Sequence, residues 1–360
     1  MHTKKYDFID FLRGIAILLI FLNHIPKNED LLSNPNYLQN FFYLIASLGT
    51  YGVQLFYIVS AFTLLVSLNK YKKINYFNFF LRRIFRILPI FYIGIFFYSF
   101  YRDYGPTNFI NIFLNLLFLN NIIPPSNDLI PGGATISTEM NFYIILPIII
   151  LFINSYKKSL IAIFFVLFIL LFLNLFFEYY FNNQYFGEPN FYRTIFTQIF
   201  VFLLGFLAFY INKKFLNKRL NVTKIKLIFI DLIPIILLSF LILIIGRREI
   251  EYFYFRNLML ASILLFFFFN FIYVISNKLL GNLFFRIVKN FGKISFSMYV
   301  WHWAVLGYLW DKFFLVLDNF QGKLILYIFV SLMMTYAVSL ISYQIEKYFI
   351  NYGKKFQKKN

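Results

Sequence analysis

The sequence predicts an all-α, polytopic integral membrane protein with about ten transmembrane helices and one short segment that does not cross. Three observations carry this reading. Apolar blocks of about 18 residues or more recur along the chain; the composition is 61% hydrophobic with a mean hydropathy of +0.70; and the basic residues gather between the blocks in an alternating pattern.

Candidate spans fall near 10–26, 41–68, 86–102, 139–155, 159–177, 194–211, 225–245, 257–276, 293–316 and 322–345. The first follows Lys4 and Lys5 as a signal peptide would, but no small-residue cleavage site comes after it and Arg13 sits within it, so it reads as a retained helix. An eleventh apolar stretch, 109–123, is short, carries Asn111, Asn115, Asn120 and Asn121, and runs into Pro124, Pro125, Pro131, Gly132 and Gly133. Charge decides its topology. If it does not cross and the N-terminus is cytoplasmic, 25 Lys and Arg fall on the inside against 8 outside, whereas a crossing would move the 157–158 pair, the 213–226 cluster and the basic tail outward. Both termini are therefore expected in the cytoplasm, and 109–123 must be sheltered by protein or water. No repeat, linker or soluble appendage is large enough to be separate, so residues 1–360 read as a single domain.

The formal charge of +19 is explained by this topology, so no nucleic-acid partner is expected. The abundance of Phe and Tyr looks compositional and receives no functional weight. With no cysteine, the chain cannot form a disulfide, a thiolate metal site or a cysteinyl acyl-enzyme.

Ionisable side chains within spans are costly and mark functional cavities by default. In "FLRGIAILLIFLNHI" (11–25), Arg13 and His24 are eleven residues apart. On a helix they share one face at two heights, roughly 16 Å apart. Arg13 can also be read as snorkelling to the headgroups with help from Asp10. His302 lies inside another span, in "GKISFSMYVWHWAVL" (292–306), and Glu139 in "STEMNFYIILP" (137–147) opens the span 139–155 at the predicted height of His24. A carboxylate that orients an imidazole makes a base for a hydroxyl; alternatively Glu139 caps its own helix. "RRIFRILP" (82–89) places Arg82, Arg83 and Arg86 on the cytoplasmic approach to the third span. That cluster satisfies the positive-inside rule, and its planar guanidinium groups also suit phosphate.

These residues together resemble the integral membrane acyltransferase 3 family, whose first helix carries an Arg, ten intervening residues and a His, as Arg13 and His24 do. The resemblance covers nearly the whole chain through six segments in the family's order: "DFLRGIAILLIFLNHI", "GVQLFYIVSAF" (52–62), "RRIFRILP", "STEMNFYIILP", "GKISFSMYVWHW" and "SYQIEKYF" (342–349). Ala61 stands where Gly is usual, Ala134 where a Trp often precedes the Glu segment, and Tyr348 where Pro is frequent. These departures touch packing positions more than ionisable ones.

The resemblance implies a multi-pass enzyme of the bacterial inner membrane that moves an acyl group, usually acetyl, from acyl-CoA to a hydroxyl of a carbohydrate or cell-envelope molecule. It needs no tightly bound cofactor and no metal. The expected catalytic residues are His24 as general base, or as a transient acyl carrier, with Glu139 orienting it and His302 stabilising the thioester oxyanion. Arg13, Arg82, Arg83 and Arg86 would hold the CoA phosphates, and Asp10, Ser297 and Tyr299 would line the cavity. The rival reading is a carrier or flippase for an anionic or sugar-lipid substrate. The six ordered segments, and the lack of an inverted repeat, favour the enzyme.

Overall fold

A computed structural model describes residues 7–25, 47–69, 75–101, 109–122, 128–181, 193–213, 252–279, 281–314 and 320–359. Among these the chain forms eleven α-helices and no strand: α1 (Asp7–Asn23), α2 (Gly52–Leu68), α3 (Tyr76–Tyr101), α4 (Phe109–Leu116), α5 (Gly133–Phe152), α6 (Tyr156–Phe181), α7 (Ile195–Ile211), α8 (Tyr252–Leu279), α9 (Leu283–Lys293), α10 (Ser295–Phe314) and α11 (Phe320–Lys359). Five stretches are long and apolar enough to cross a membrane: Gly49–Leu68, Gly133–Phe152, Tyr156–Leu173, Leu258–Ser276 and Leu324–Lys355. The expected spans 10–26, 86–102, 194–211 and 293–316 coincide with the helices α1, α3, α7 and α10, and the expected span 225–245 lies outside the described residues.

Several boundaries differ from the sequence reading. Helix α3 begins at Tyr76 rather than near 86, so its arginines lie inside the helix, about two to three turns from its start. Helix α5 begins at Gly133 with no acid in its first turn, which removes the capping role considered for Glu139. Helix α11 has 40 residues. At 1.5 Å per residue that is about 60 Å, twice a hydrocarbon core, so it projects well past the bilayer.

Helix α4 has only 8 residues. That is about 12 Å, too short to cross a membrane. The asparagines in and after it bind backbone that water would otherwise satisfy. Asn115 donates to Asn111 O at 2.9 Å and accepts from Leu129 N at 3.2 Å, while Asn141 of α5 donates to Phe118 O at 3.2 Å. The chain reverses there through Phe118, whose φ is 60°.

Helix α1 sits at the centre, packed chiefly on α9 and α2; α2 packs on α7, α10 on α11, and α11 on α3. The α1–α9 contact is set by glycine. A Cβ on Gly292 would lie 1.6 Å from Asp10 O, and one on Gly14 would lie 2.0 Å from Val288 O. Only bare backbone allows so close an approach. Large apolar side chains such as Phe96, Phe100, Leu151, Ile161, Phe165 and Phe168 point outward, as a lipid-facing surface requires.

Candidate active site

Helix α2 passes a polar side chain every third residue, Gln54, Tyr57, Ser60 and Thr63, through an otherwise apolar sequence. This winding stripe, the start of α5 and the start of α10 enclose two chambers, at opposite ends of α1. The chamber near Arg13 has a cavity volume of about 60 Å³, and the chamber near His24 about 590 Å³. Tyr57, Thr135 and Tyr299 line both.

The arginine chamber gathers Arg13 from α1, Arg83 and Arg86 from α3, and Glu139 and Tyr143 from α5. Each cation is held differently. Arg13 lies 3.8 Å from Asp10, one turn earlier, as their spacing predicts. Arg83 lies over the rings of Phe79 and Tyr143, at 5.5 and 5.6 Å from their centroids. Its buried Nε carries no hydrogen bond among the described residues. Arg86 Nε is 3.7 Å from Glu346 Oε1, and Ser297 Oγ donates to Glu346 Oε2 at 3.2 Å. Ser297 is thus fully buried in support of that pair and is not a lining residue; Asp10 and Arg82 are likewise absent from the lining.

Glu139 is in this chamber, not beside His24. Its carboxylate accepts from the hydroxyls of Ser60 and Tyr143. The expected height match between Glu139 and His24 fails because α5 starts a turn and a half earlier than its apolar run indicates.

The group packed on His24 is His302. Nε2 of His302 is 3.2 Å from Nδ1 of His24, and the Trp303 ring stands 4.8 Å from the His24 ring centroid to centroid. His302 is 1% exposed and lines neither chamber, so it is not placed to meet a thioester oxyanion. Its Nδ1 lies 2.7 Å from Tyr299 O and 3.2 Å from Met298 O. Carbonyl oxygens only accept, so the proton of the neutral ring is on Nδ1 and Nε2 is the acceptor. His24 must then donate from Nδ1. In its neutral form His24 then carries its lone pair on Nε2, and the residue lines the larger chamber.

The histidine chamber is otherwise lined by neutral hydrogen-bonding groups, a few apolar side chains such as Ile20 and Val53, and one charged pair. Arg193 is 3.7 Å from Asp128, to which Asn120 donates at 2.7 Å. Burial pushes the Asp128 carboxyl above its ordinary range, against the opposing pull of backbone at Ala134, of Arg193 and of Asn120.

Tyr57, Ser60, Tyr143, Asp128, Arg193 and Glu346 join the site without having been expected from the sequence. The three-residue polar stripe of α2 is a signal for the first two. Glu346 lies within the 342–349 segment, but its pairing with Arg86 spans 260 positions and no local pattern announces it.

Helices long and apolar enough to cross a membrane, with two polar-lined cavities between them, define the class: an all-helical membrane protein. Its family follows from the whole chain: the model of the acyltransferase domain family, acyltransferase 3, matches residues 6–344, and the chain belongs to that family. No curated protein and no solved structure matches it.

Proposed function

We propose that the protein is a membrane O-acyltransferase that takes an acyl group, acetyl in the simplest case, from cytoplasmic acyl-CoA and places it on a hydroxyl of a carbohydrate or cell-envelope acceptor. The observation that supports this reading is the His24–His302 contact of 3.2 Å, which orients the imidazole of a residue that lines the larger chamber.

In this reading the arginine chamber opens toward the cytoplasm, and Arg13, Arg83 and Arg86 hold the phosphates of CoA. The pantetheine arm carries the thioester along α1 toward His24. The acceptor hydroxyl gives its proton to His24 Nε2 as its oxygen attacks the thioester carbon; the new O–C bond forms, the C–S bond breaks, and the proton passes from His24 to the departing thiolate, giving free CoA. His302 positions His24 and carries no charge in the step. Glu139 balances the arginines when no CoA is bound.

The test uses membranes carrying the wild type or His24→Ala, acetyl-CoA labelled in its acetyl group, and the envelope carbohydrate fraction. Free thiol and labelled carbohydrate are expected from the wild type, and loss of a general base lowers both by about 10³-fold. Thiol release without any labelled acceptor would exclude transfer. A carrier would move substrate without consuming thioester at all.

A further inference from the structure

We infer that Tyr57 and Tyr299 determine the size of the acyl group this protein transfers, because with Thr135 they form the portal between its two chambers. The inference rests on the acyl-CoA reading above. Three residues line both chambers, and two of them are aromatic rings held at both ends.

Tyr57 leaves α2 with its ring stacked on Phe202 of α7 at 4.5 Å, and Phe202 stacks in turn on Phe142 of α5 at 3.9 Å. Its hydroxyl donates to Thr135 O at 3.1 Å. Tyr299 comes from α10 and donates to Gly132 O at 2.9 Å. Residue 132 must be glycine on two counts. Its φ is 77°, in the left-handed region, and a Cβ there would lie 2.4 Å from the Tyr299 hydroxyl. The tip of Tyr299 therefore occupies the space that a side chain at 132 would fill. Both tyrosines are nearly buried, at 2% and 7% exposure, so each ring is locked by packing on one side and by a backbone carbonyl on the other.

The portal stands between charge and base. Arg13, Arg83 and Arg86 are on one side and His24 on the other. A donor held by its phosphates reaches His24 with its acyl end leading, so the acyl group has to pass the two rings before any chemistry occurs. A slender acyl group, no wider than the pantetheine arm that follows it, passes between fixed aromatic walls more readily than a branched or aromatic one. The walls are not mobile loops, and their positions are set by ring packing and backbone, so added width meets resistance that the fold cannot relax. Selection here acts on the acyl group and not on the CoA end, which stays in the arginine chamber. The residues involved are specificity-determining and take no proton.

The experiment compares kcat/KM for acetyl-, isobutyryl- and benzoyl-CoA, read as thiol release with the envelope carbohydrate fraction, in full-length wild type and variants purified as monodisperse protein. Wild type is expected to prefer acetyl over benzoyl by more than about tenfold, and Tyr57→Ala or Tyr299→Ala to raise the benzoyl-to-acetyl ratio by about tenfold or more. Tyr57→Phe and Tyr299→Phe keep the rings and are expected to leave that ratio within about twofold. Should an alanine variant fail to fold, Tyr57→Leu and Thr135→Ile serve instead, with the ratio rising in the first and falling in the second. An unchanged ratio in every folded variant that still turns over acetyl-CoA overturns the portal and leaves acyl transfer standing. No thiol release from any donor in the wild type overturns both.

Discussion

The arginine chamber and the histidine chamber share helix α1 and are built in opposite ways. Around Arg13, Arg83 and Arg86 the protein uses fixed charge, with Asp10, Glu139 and Glu346 as counter-charges on three different helices. At His24 it uses a neutral chain of hydrogen bonds, from His24 through His302 to the carbonyl of Tyr299, and the charges elsewhere in that chamber, Arg193 and Asp128, pair with each other. Binding a polyanion calls for permanent cations with planar, multidentate donors. Moving a proton calls for a group whose two forms are close in energy, and adjacent charge would pin it in one of them. In the proposed reading, the shared lining of Tyr57, Thr135 and Tyr299 separates the chambers and lets one molecule satisfy both demands.

The largest expected effect that tests this contrast falls on His302. His302→Phe removes the acceptor that sets the His24 tautomer and is expected to lower kcat by about 10²-fold with little change in KM for acyl-CoA, as steady-state kinetics will show. His302→Gln retains an acceptor oxygen and should recover part of the loss; equal losses in both variants would mean that His302 only fills space.

On the other side of the portal the effect should appear in KM. Arg86→Ala is expected to raise KM for acyl-CoA by about tenfold, the worth of a charge-assisted hydrogen bond, at near-constant kcat. Glu346→Gln leaves Arg86 in place but loosens it, and a change of about threefold is expected. A kcat defect from either substitution would erase the division between the chambers.

The frame that aligns them is the α1–α9 contact. Gly292→Ala would press a methyl group into the Asp10 carbonyl, and such overpacking costs about 1–3 kcal/mol, measurable as a lower thermal midpoint in detergent. No loss of stability would show that α9 can shift away from α1.

The smallest effect concerns Asp128. Its carboxyl titrates above the unfolded value of 3.8 because burial disfavours the charge, so folding favours its protonated form. That contribution is complete below the unfolded pKa and is lost as pH rises through the raised one. Asp128→Asn cannot ionise; its thermal midpoint should exceed that of the wild type at neutral pH, and the gain should vanish in acid. A gain independent of pH would assign the effect to packing.

Much of this architecture is legible in the chain's local patterns. The α1 spacing puts Arg13 and His24 on one face because helical geometry is local, and the chambers do lie at those two ends. The Asn-rich 109–123 stretch announces a backbone in need of partners, and Asn115 supplies two of them. Glu139 is legible as a cavity residue but not in its neighbours. A helix start hidden in "PGGATISTEM" shifts its height, since glycine and small polar residues conceal the beginning of an apolar helix.

By itself, then, the sequence determined the helical membrane class and the face of α1 that meets both chambers, because each follows from composition, periodicity or short spacing, while six ordered segments carried the resemblance to the family. Only the tertiary structure decided that His302 rather than Glu139 stands beside His24, that Glu346 holds Arg86, and that two tyrosines divide the interior. Those pairings join residues from helices distant in sequence, and their registers are set by side-chain packing and by glycine contacts such as Gly14 and Gly292, which no local pattern encodes.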